Sequence, residues 1–373
     1  MLLVGLAIFS SLYSTQAILP TLVHNMGLSS TEAAMTVSAA TGALALCVVP
    51  ASILSERFGR GRILLISAVA ATGVGLIVPL AQEGWQLIVV RGLQGALLSG
   101  APATAMAWLS EELDDKALPR AMGLYIAGTS VGGLTGRLIP TGLVEISTWR
   151  WALFGSALVS LAFAITAWLL LPTQRNFRPK SIHLKTESRA LLGHWANRDL
   201  ALLFLTAFLS MGTFVSMYNF LTFRLIDDFG LAPSLAGLAF LFYLTGTWCS
   251  ARAGSLVARI GHGKTLFASA VLFALGIAFC AGNLPLTLLG MIAFTVGFFA
   301  VHSTASGWVG QIATHDRAEA SSMYVFCYYF GSSVVGACAG LLFDALSWPL
   351  FIAFFTAVAL ALTALTWTKI KSD

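Results

Sequence analysis

Charge is what this chain has least of. Only 10% of its 373 residues are Asp, Glu, Lys or Arg, against roughly a quarter in a soluble domain. So few charges cannot cover a water-facing surface of this size. Most of the exterior must face lipid, and hydrophobic residues make up 57% of the chain. The net charge of +5 is therefore not a nucleic-acid signal, and no nucleic-acid partner is expected. Cysteine is sparse: Cys47, Cys249, Cys280, Cys327 and Cys338 all lie in apolar stretches without C-x-x-C spacing. They read as small packing residues, not as disulfides or a metal site. There is no G-x-x-x-x-G-K-[ST] loop, no H-E-x-x-H and no G-x-S-x-G. No nucleotide, cofactor or metal is expected. A membrane-embedded enzyme is left as a remote alternative, and no charged ring or carbonyl filter suggests a channel. No cleavable signal peptide is legible. The first apolar stretch begins at Leu2 with no basic residue before it, which points to a late or trimmed start.

What is present is hydrocarbon in long runs. A spanning helix needs about 20 mostly apolar residues, and the chain offers twelve such runs. They fall near 2–23, 32–54, 63–82, 85–109, 119–143 and 150–171, then 199–225, 234–257, 265–282, 285–311, 319–343 and 348–368. The runs are too long for strands, and the alternation of a membrane barrel is absent. The expected fold class is an all-α membrane protein, twelve transmembrane helices in two pseudo-symmetric six-helix bundles.

Lys and Arg set the orientation. Of the 21, Arg91, Arg137, Arg150 and Arg224 are expected in spans or on odd-numbered loops. The remainder fall on the other side, including Arg57, Arg60, Arg62, Lys116, Arg120, Arg259, Lys264, Arg317, Lys369 and Lys371. That side is read as cytoplasmic, with both termini on it. The stretch from Pro172 to Arg198 is polar and basic, with Arg175, Arg178, Lys180, Lys185 and Arg189. It divides the chain into residues 1–171, a cytoplasmic linker 172–198 and residues 199–373. The linker is a solvated connector, with contact to the anionic inner leaflet as the alternative.

One signature recurs half a chain apart. L-S-E-R-F-G-R-G-R at Leu54 to Arg62 returns as V-A-R-I-G-H-G-K at Val257 to Lys264. Arg57 matches Arg259, Gly59 matches Gly261, and each copy sits between two apolar runs. Gly59 and Gly61 allow a tight turn. Glu56 is expected beside a helix N-terminus, where the helix dipole favours it. In the second copy Ala258 stands where the acid would be. Two related halves in a membrane chain usually move about a central site.

These residues are where a resemblance can be named. Along its whole length the chain resembles a transporter of the major facilitator superfamily, and within it the bacterial drug and metabolite efflux permeases, the YnfM-like inner-membrane group in particular. The loop at Ser52 to Arg62 is similar to the family pattern G-x-x-x-D-R-x-G-R-[RK], with Ser52 for the first Gly and Glu56 for Asp. The resemblance implies a cytoplasmic gate made by Glu56, Arg57, Gly59 and Arg60, and a weaker one by Arg259 and Gly261. R-G-L-Q-G at Arg91 to Gly95 resembles the family's R-x-x-x-G element, tied to proton transfer or gating. Gly123, Gly132 and Gly136 keep the spacing of the antiporter pattern in span five, but Arg137 replaces its proline and Pro140 its last glycine.

Polar and aromatic residues recur mid-span: Tyr13 and Gln16, Tyr218 and Asn219, Tyr243, His302 and Trp308, and Tyr324, Tyr328 and Tyr329. An amide buried in hydrocarbon without a partner costs several kcal/mol, so these groups line a wet site or bond one another as helix glue. With Arg91, Gln94 and Arg137 they form the expected substrate cavity. Arg91 is expected to face the interior because Gln94 and Gly95 continue a small polar face; snorkelling outward is the alternative. No acid is expected inside a span. His302 is then the one mid-span group that titrates near neutral pH and the candidate for proton coupling, packing being the alternative. Arg91 and Arg137, without an evident acid, suggest an anionic solute, although Glu145 at the outer mouth answers equally. The expected function is secondary active transport of a small solute by alternating access, by proton-coupled efflux of drug-like or metabolite substrates. An importer or facilitator of a sugar or organic anion is the alternative. The expected partners are the solute, protons and the lipid bilayer, and the expected state is a monomer.

Overall fold

The computed structural model describes residues 1–114, 116–177 and 192–368. Arg178, Lys180, Lys185, Arg189, Lys369 and Lys371, used in the charge pattern above, lie outside the described residues. Among the described residues there are helices and no strands. In hydrocarbon every backbone N–H and C=O must be satisfied within its own segment, and helices do this locally.

Fifteen α-helices trace twelve passes in the described residues. The first pass is α1 (Leu2–Leu12), a 3-10 turn (Gln16–Ile18) and α2 (Leu19–Met26). Then come α3 (Ser30–Phe58), α4 (Arg60–Gly75), the pair α5 (Gly84–Leu98) and α6 (Gly100–Glu112), α7 (Leu118–Val144) and α8 (Trp149–Leu170). The second half runs through α9 (Arg198–Phe223), α10 (Pro233–Leu238) with α11 (Tyr243–Ile260), α12 (His262–Phe279), α13 (Leu284–Ile312), α14 (Arg317–Ala345) and α15 (Trp348–Trp367). Ten passes are long and apolar enough to cross a membrane by length and composition alone. The fourth falls short because it breaks at Ser99, beside Leu98, whose carbonyl receives no N–H from Pro102 four residues on. The fifth falls short because six glycines, Arg120 and Arg137 dilute its hydropathy.

Several passes expected as single helices are interrupted. The first unwinds at Tyr13 to Thr15. The seventh ends in a π-helical turn, Arg224–Asp228, where Arg224 pairs with Asp228. The eighth passes through a 3-10 turn, Ala239–Phe242, between α10 and α11. One charge assignment also changes. Arg252, counted with the basic loops, lies inside α11, eight residues before its end.

The chain divides into two compact units, Met1–Ile182 with Leu231–Leu238, and His183–Gly230 with Ala239–Asp373. Each unit pairs its passes in the same order. In the first, α1 packs on α7, α3 on α5 and α4 on α8. In the second, α9 packs on α14, α11 on α13 and α12 on α15. Within the first unit α10 also lies against α7, and the Glu145 carboxylate accepts from the Ser234 N–H at 2.9 Å.

The span-five glycines do not share one role. A Cβ on Gly136 would stand 2.3 Å from the Ser10 carbonyl oxygen, and one on Gly132 2.7 Å from that of Gly5. Gly123 faces open space. The first two let α1 and α7 touch backbone to backbone, which is how helices associate where no hydrophobic force separates protein from solvent. Gly136→Ala is expected to destabilise the purified protein by about 1–3 kcal/mol. Gly123→Ala is expected to be neutral or to stabilise by up to about 1 kcal/mol. Melting temperatures in detergent check this, and equal effects at the two positions would refute the close-contact account.

Candidate functional site

The first pass unwinds midway along its length, and the unwinding leaves carbonyls without N–H partners. Arg91 fills that gap. It enters from α5, is fully buried, and donates through Nη1 to the Ser11 carbonyl at 2.9 Å and through Nη2 to the Leu12 carbonyl. Its Nε donates to the Thr36 carbonyl of α3 at 3.2 Å, and Nη1 also reaches Ser14 Oγ and Gln94 Oε1. Gln94, one turn on, donates to Ser11 Oγ at 2.7 Å and to the Ala71 carbonyl of α4 at 3.2 Å. Two neighbouring side chains thus tie passes one to four together. The guanidinium is planar, with its donors in a fixed fork, and here backbone and side-chain oxygens occupy that fork. Arg91 therefore faces the interior and does not snorkel.

Arg137 makes a second buried cluster. Its Nε donates to Gln16 Oε1 at 2.8 Å and its Nη1 to the Gly133 carbonyl at 2.7 Å. The guanidinium carbon sits 4.0 Å from the centre of the Tyr13 ring. Tyr13, Gln16 and Arg137 are brought together, as the mid-span polar pattern anticipated, but all three are buried.

In the second unit the polar groups are embedded in rings. Tyr218 and Asn219 on α9 are buried, and the Tyr218 hydroxyl bonds Thr295 Oγ1 at 2.8 Å. Tyr218 contacts Tyr243 (4.7 Å between centroids) and Phe214, Phe214 stacks on Phe298 (3.8 Å), and Phe298 lies parallel to His302 (6.1 Å). His302 Nδ1 is 3.0 Å from the Tyr324 hydroxyl, and its ring is 4.6 Å from Tyr328. Tyr243, His302 and Tyr328 are the partly exposed members of this ladder; Tyr324 and Tyr329 are buried. Trp308 is set apart, one turn from the end of α13 and stacked on His262.

The two copies of the repeated loop fold alike and connect differently. Gly59 and Gly261 take φ of 101° and 86°, each the single residue between two helices. A left-handed backbone at this joint favours glycine. Gly61, expected in the turn, is instead helical, and a Cβ there would meet Trp108 Nε1 at 2.9 Å. Glu56 lies in the last turn of α3, where the helix dipole opposes a carboxylate; Arg60, 3.2 Å away, offsets it. Arg60 is the buried member of the motif and also pairs with Glu111 at 2.5 Å, while Arg57 is exposed over Phe58. Gln174 bridges the Gly61 N–H and Glu111 Oε2, each at 3.1 Å, and Glu112 accepts from the Arg175 and Asn176 N–H groups. Sequence reasoning missed Glu111, Glu112 and Gln174; adjacent acids closing a basic side were the available signal. Arg259 is exposed and makes no ion pair among the described residues.

Six helical passes repeated in two units, with polar groups buried midway along them, are the architecture of a membrane carrier of small solutes. The Major Facilitator Superfamily profile matches residues 1–246 and 202–372, and the chain belongs to that family. It is 36% identical over 368 residues to the inner membrane transport protein YnfM of Escherichia coli, covering 98% of this chain and 88% of that protein. It is 34% identical to the uncharacterized MFS-type transporter YybF of Bacillus subtilis, over 92% of this chain and 86% of that one. In fold it matches a mutant form of the nucleoside transporter NupG with a TM-score of 0.82 at 14% identity, covering 99% of both chains. The protein is a multi-pass inner-membrane transporter of small solutes, not an enzyme.

Arg91→Met would leave the buried Leu12 carbonyl without its side-chain donor and the Ser11 carbonyl with Ser14 Oγ alone. A loss of about 2–5 kcal/mol is expected, read as a lower melting temperature of the purified protein. A variant that melts like the wild type while losing solute affinity would overturn the capping role.

Proposed function

We infer that this transporter moves a small ring-bearing organic solute outward in exchange for protons, as a monomer, by alternating access, with both termini in the cytoplasm. The observation that carries the reading is the His302–Tyr324 contact beside the partly exposed Tyr328 and Tyr243. An imidazole can take up and release a proton, and aromatic faces bind flat apolar solutes. In the first unit the Arg137–Gln16–Tyr13 cluster holds the interrupted first pass against α7. Arg91 and Gln94 act by holding the broken first pass in place. The Arg60–Glu111–Gln174 network steadies the loop on the basic side, where the family's gate lies. A more distant relative, the multidrug resistance protein MdtG of Proteus mirabilis, is 27% identical over 307 residues and supports outward movement of drug-like compounds. The distribution of Lys and Arg supports the orientation.

In proteoliposomes, an imposed pH gradient is expected to drive accumulation of a transported solute from a panel of aromatic metabolites and dyes. His302→Gln is expected to lower gradient-driven accumulation about tenfold or more and to spare solute exchange at equal pH. Accumulation by the wild type that ignores the gradient, or a His302→Gln variant that still follows it, would refute proton coupling through His302.

A further inference from the structure

Arg252 and Arg259 stand on α11 seven residues apart, about 10 Å along the same side of the helix. Arg252 lies over the Trp248 ring at 4.0 Å. Among the described residues neither guanidinium makes an ion pair or a side-chain hydrogen bond. The opposite side of α11 is the packed one: Gly246 abuts Phe299, and Ser250 bonds Ser303. With 100° between successive residues, Trp248, Arg252, Ser255 and Arg259 fall on the far stripe. A cavity of about 370 Å³ opens there, lined among others by Trp248, Arg252, Ser255, Leu256, Arg259 and Thr265.

The depth of this stripe matters. The pass Pro233–Ile260 has 28 residues, about 42 Å of helix, against about 30 Å of hydrocarbon. The surplus is about eight residues, and Arg252 is eight residues from Ile260. Charge decides which end projects: Arg252, Arg259, His262 and Lys264 crowd one end, while Pro233–Leu238 carries none. The stripe therefore crosses from the hydrocarbon edge into the headgroup layer at the Gly261 end. Two uncompensated cations, a hydroxyl, the half-exposed Leu256 between them and an indole one turn deeper match a phosphodiester with an attached acyl chain. Arginine forks bind phosphate oxygens in pairs, and indoles sit at headgroup level.

We propose that this face of α11 is a binding site for an anionic membrane phospholipid, with Arg252 and Arg259 holding the phosphate, Leu256 against the glycerol between them and Trp248, one turn deeper, along the first acyl carbons. The site includes neither His302 nor Tyr324 and does not depend on which solute is carried.

Native mass spectrometry of the purified full chain, titrated with phosphatidylglycerol or phosphatidylcholine, tests the site. The wild type is expected to retain phosphatidylglycerol preferentially. Arg252→Gln with Arg259→Gln is expected to weaken that retention about tenfold or more, while Arg252→Lys with Arg259→Lys keeps most of it and serves if the glutamine pair folds poorly. Soluble glycerol phosphate at millimolar concentration is expected not to compete. Equal retention of the two lipids by the wild type would overturn the proposal. So would undiminished phosphatidylglycerol binding by a folded glutamine pair, or by Arg259→Gln alone joined with Trp248→Ala. Displacement by glycerol phosphate would assign the cations to a soluble anion instead of a lipid.

Discussion

A break in a helix at the centre of a bilayer strands carbonyl oxygens where no water can reach them. The first pass of this protein breaks midway along its length, and Arg91 supplies buried donors from a different pass. An arginine costs several kcal/mol to place at such a depth. That cost is offset because the guanidinium meets oxygens that would otherwise be unsatisfied. Those oxygens come from α1 and α3, and Gln94 adds α4, so two neighbouring side chains of α5 join four passes. The Arg137 cluster depends on the break in turn, since Gln16 begins the 3-10 turn that the break creates.

The second unit repeats the pairing of passes without repeating the break. Its first pass, α9, is one continuous helix of 26 residues. No carbonyls are stranded within it, and its interior is closed by rings: Tyr218, Phe214, Phe298, His302 and Tyr328 in succession. The same backbone arrangement is thus held by hydrogen bonds to a cation in one half and by aromatic contacts in the other. The first is directional and leaves its members buried. The second is tolerant of small shifts and leaves Tyr243, His302 and Tyr328 partly open, which suits surfaces that meet a solute.

The repeated basic loop shows the same division between shared backbone and private side chains. Both copies turn on one glycine with positive φ. The first is tied by ion pairs and an amide, through Arg60, Glu111 and Gln174, whereas in the second His262 stacks on Trp308. With Ala258 in place of the acid, the second copy leaves Arg259 exposed, and on the same helix Arg252 is free to meet the headgroup layer.

The sequence by itself determined that lipid surrounds this chain, how many times it crosses, and that its halves are related. Those properties follow from hydropathy summed over some 20 residues and from a motif spaced half a chain apart, and such averages survive local irregularity. It also singled out Arg91, Gln94, Arg137, Gln16, Tyr13 and His302, because a polar group in hydrocarbon is conspicuous whatever it touches. What each of them touches was decided by tertiary structure. Arg91 faces carbonyls released by a break at Tyr13 to Thr15, and neither the break nor its partner is encoded within one span. Gly123, Gly132 and Gly136 look alike in a motif and differ in what lies opposite. Gly61 reads as a turn residue and is a contact residue, because Trp108 arrives from α6. Hydrogen bonds and van der Waals contacts act over a few ångströms, and residues far apart in the chain come within that range only once the passes have packed.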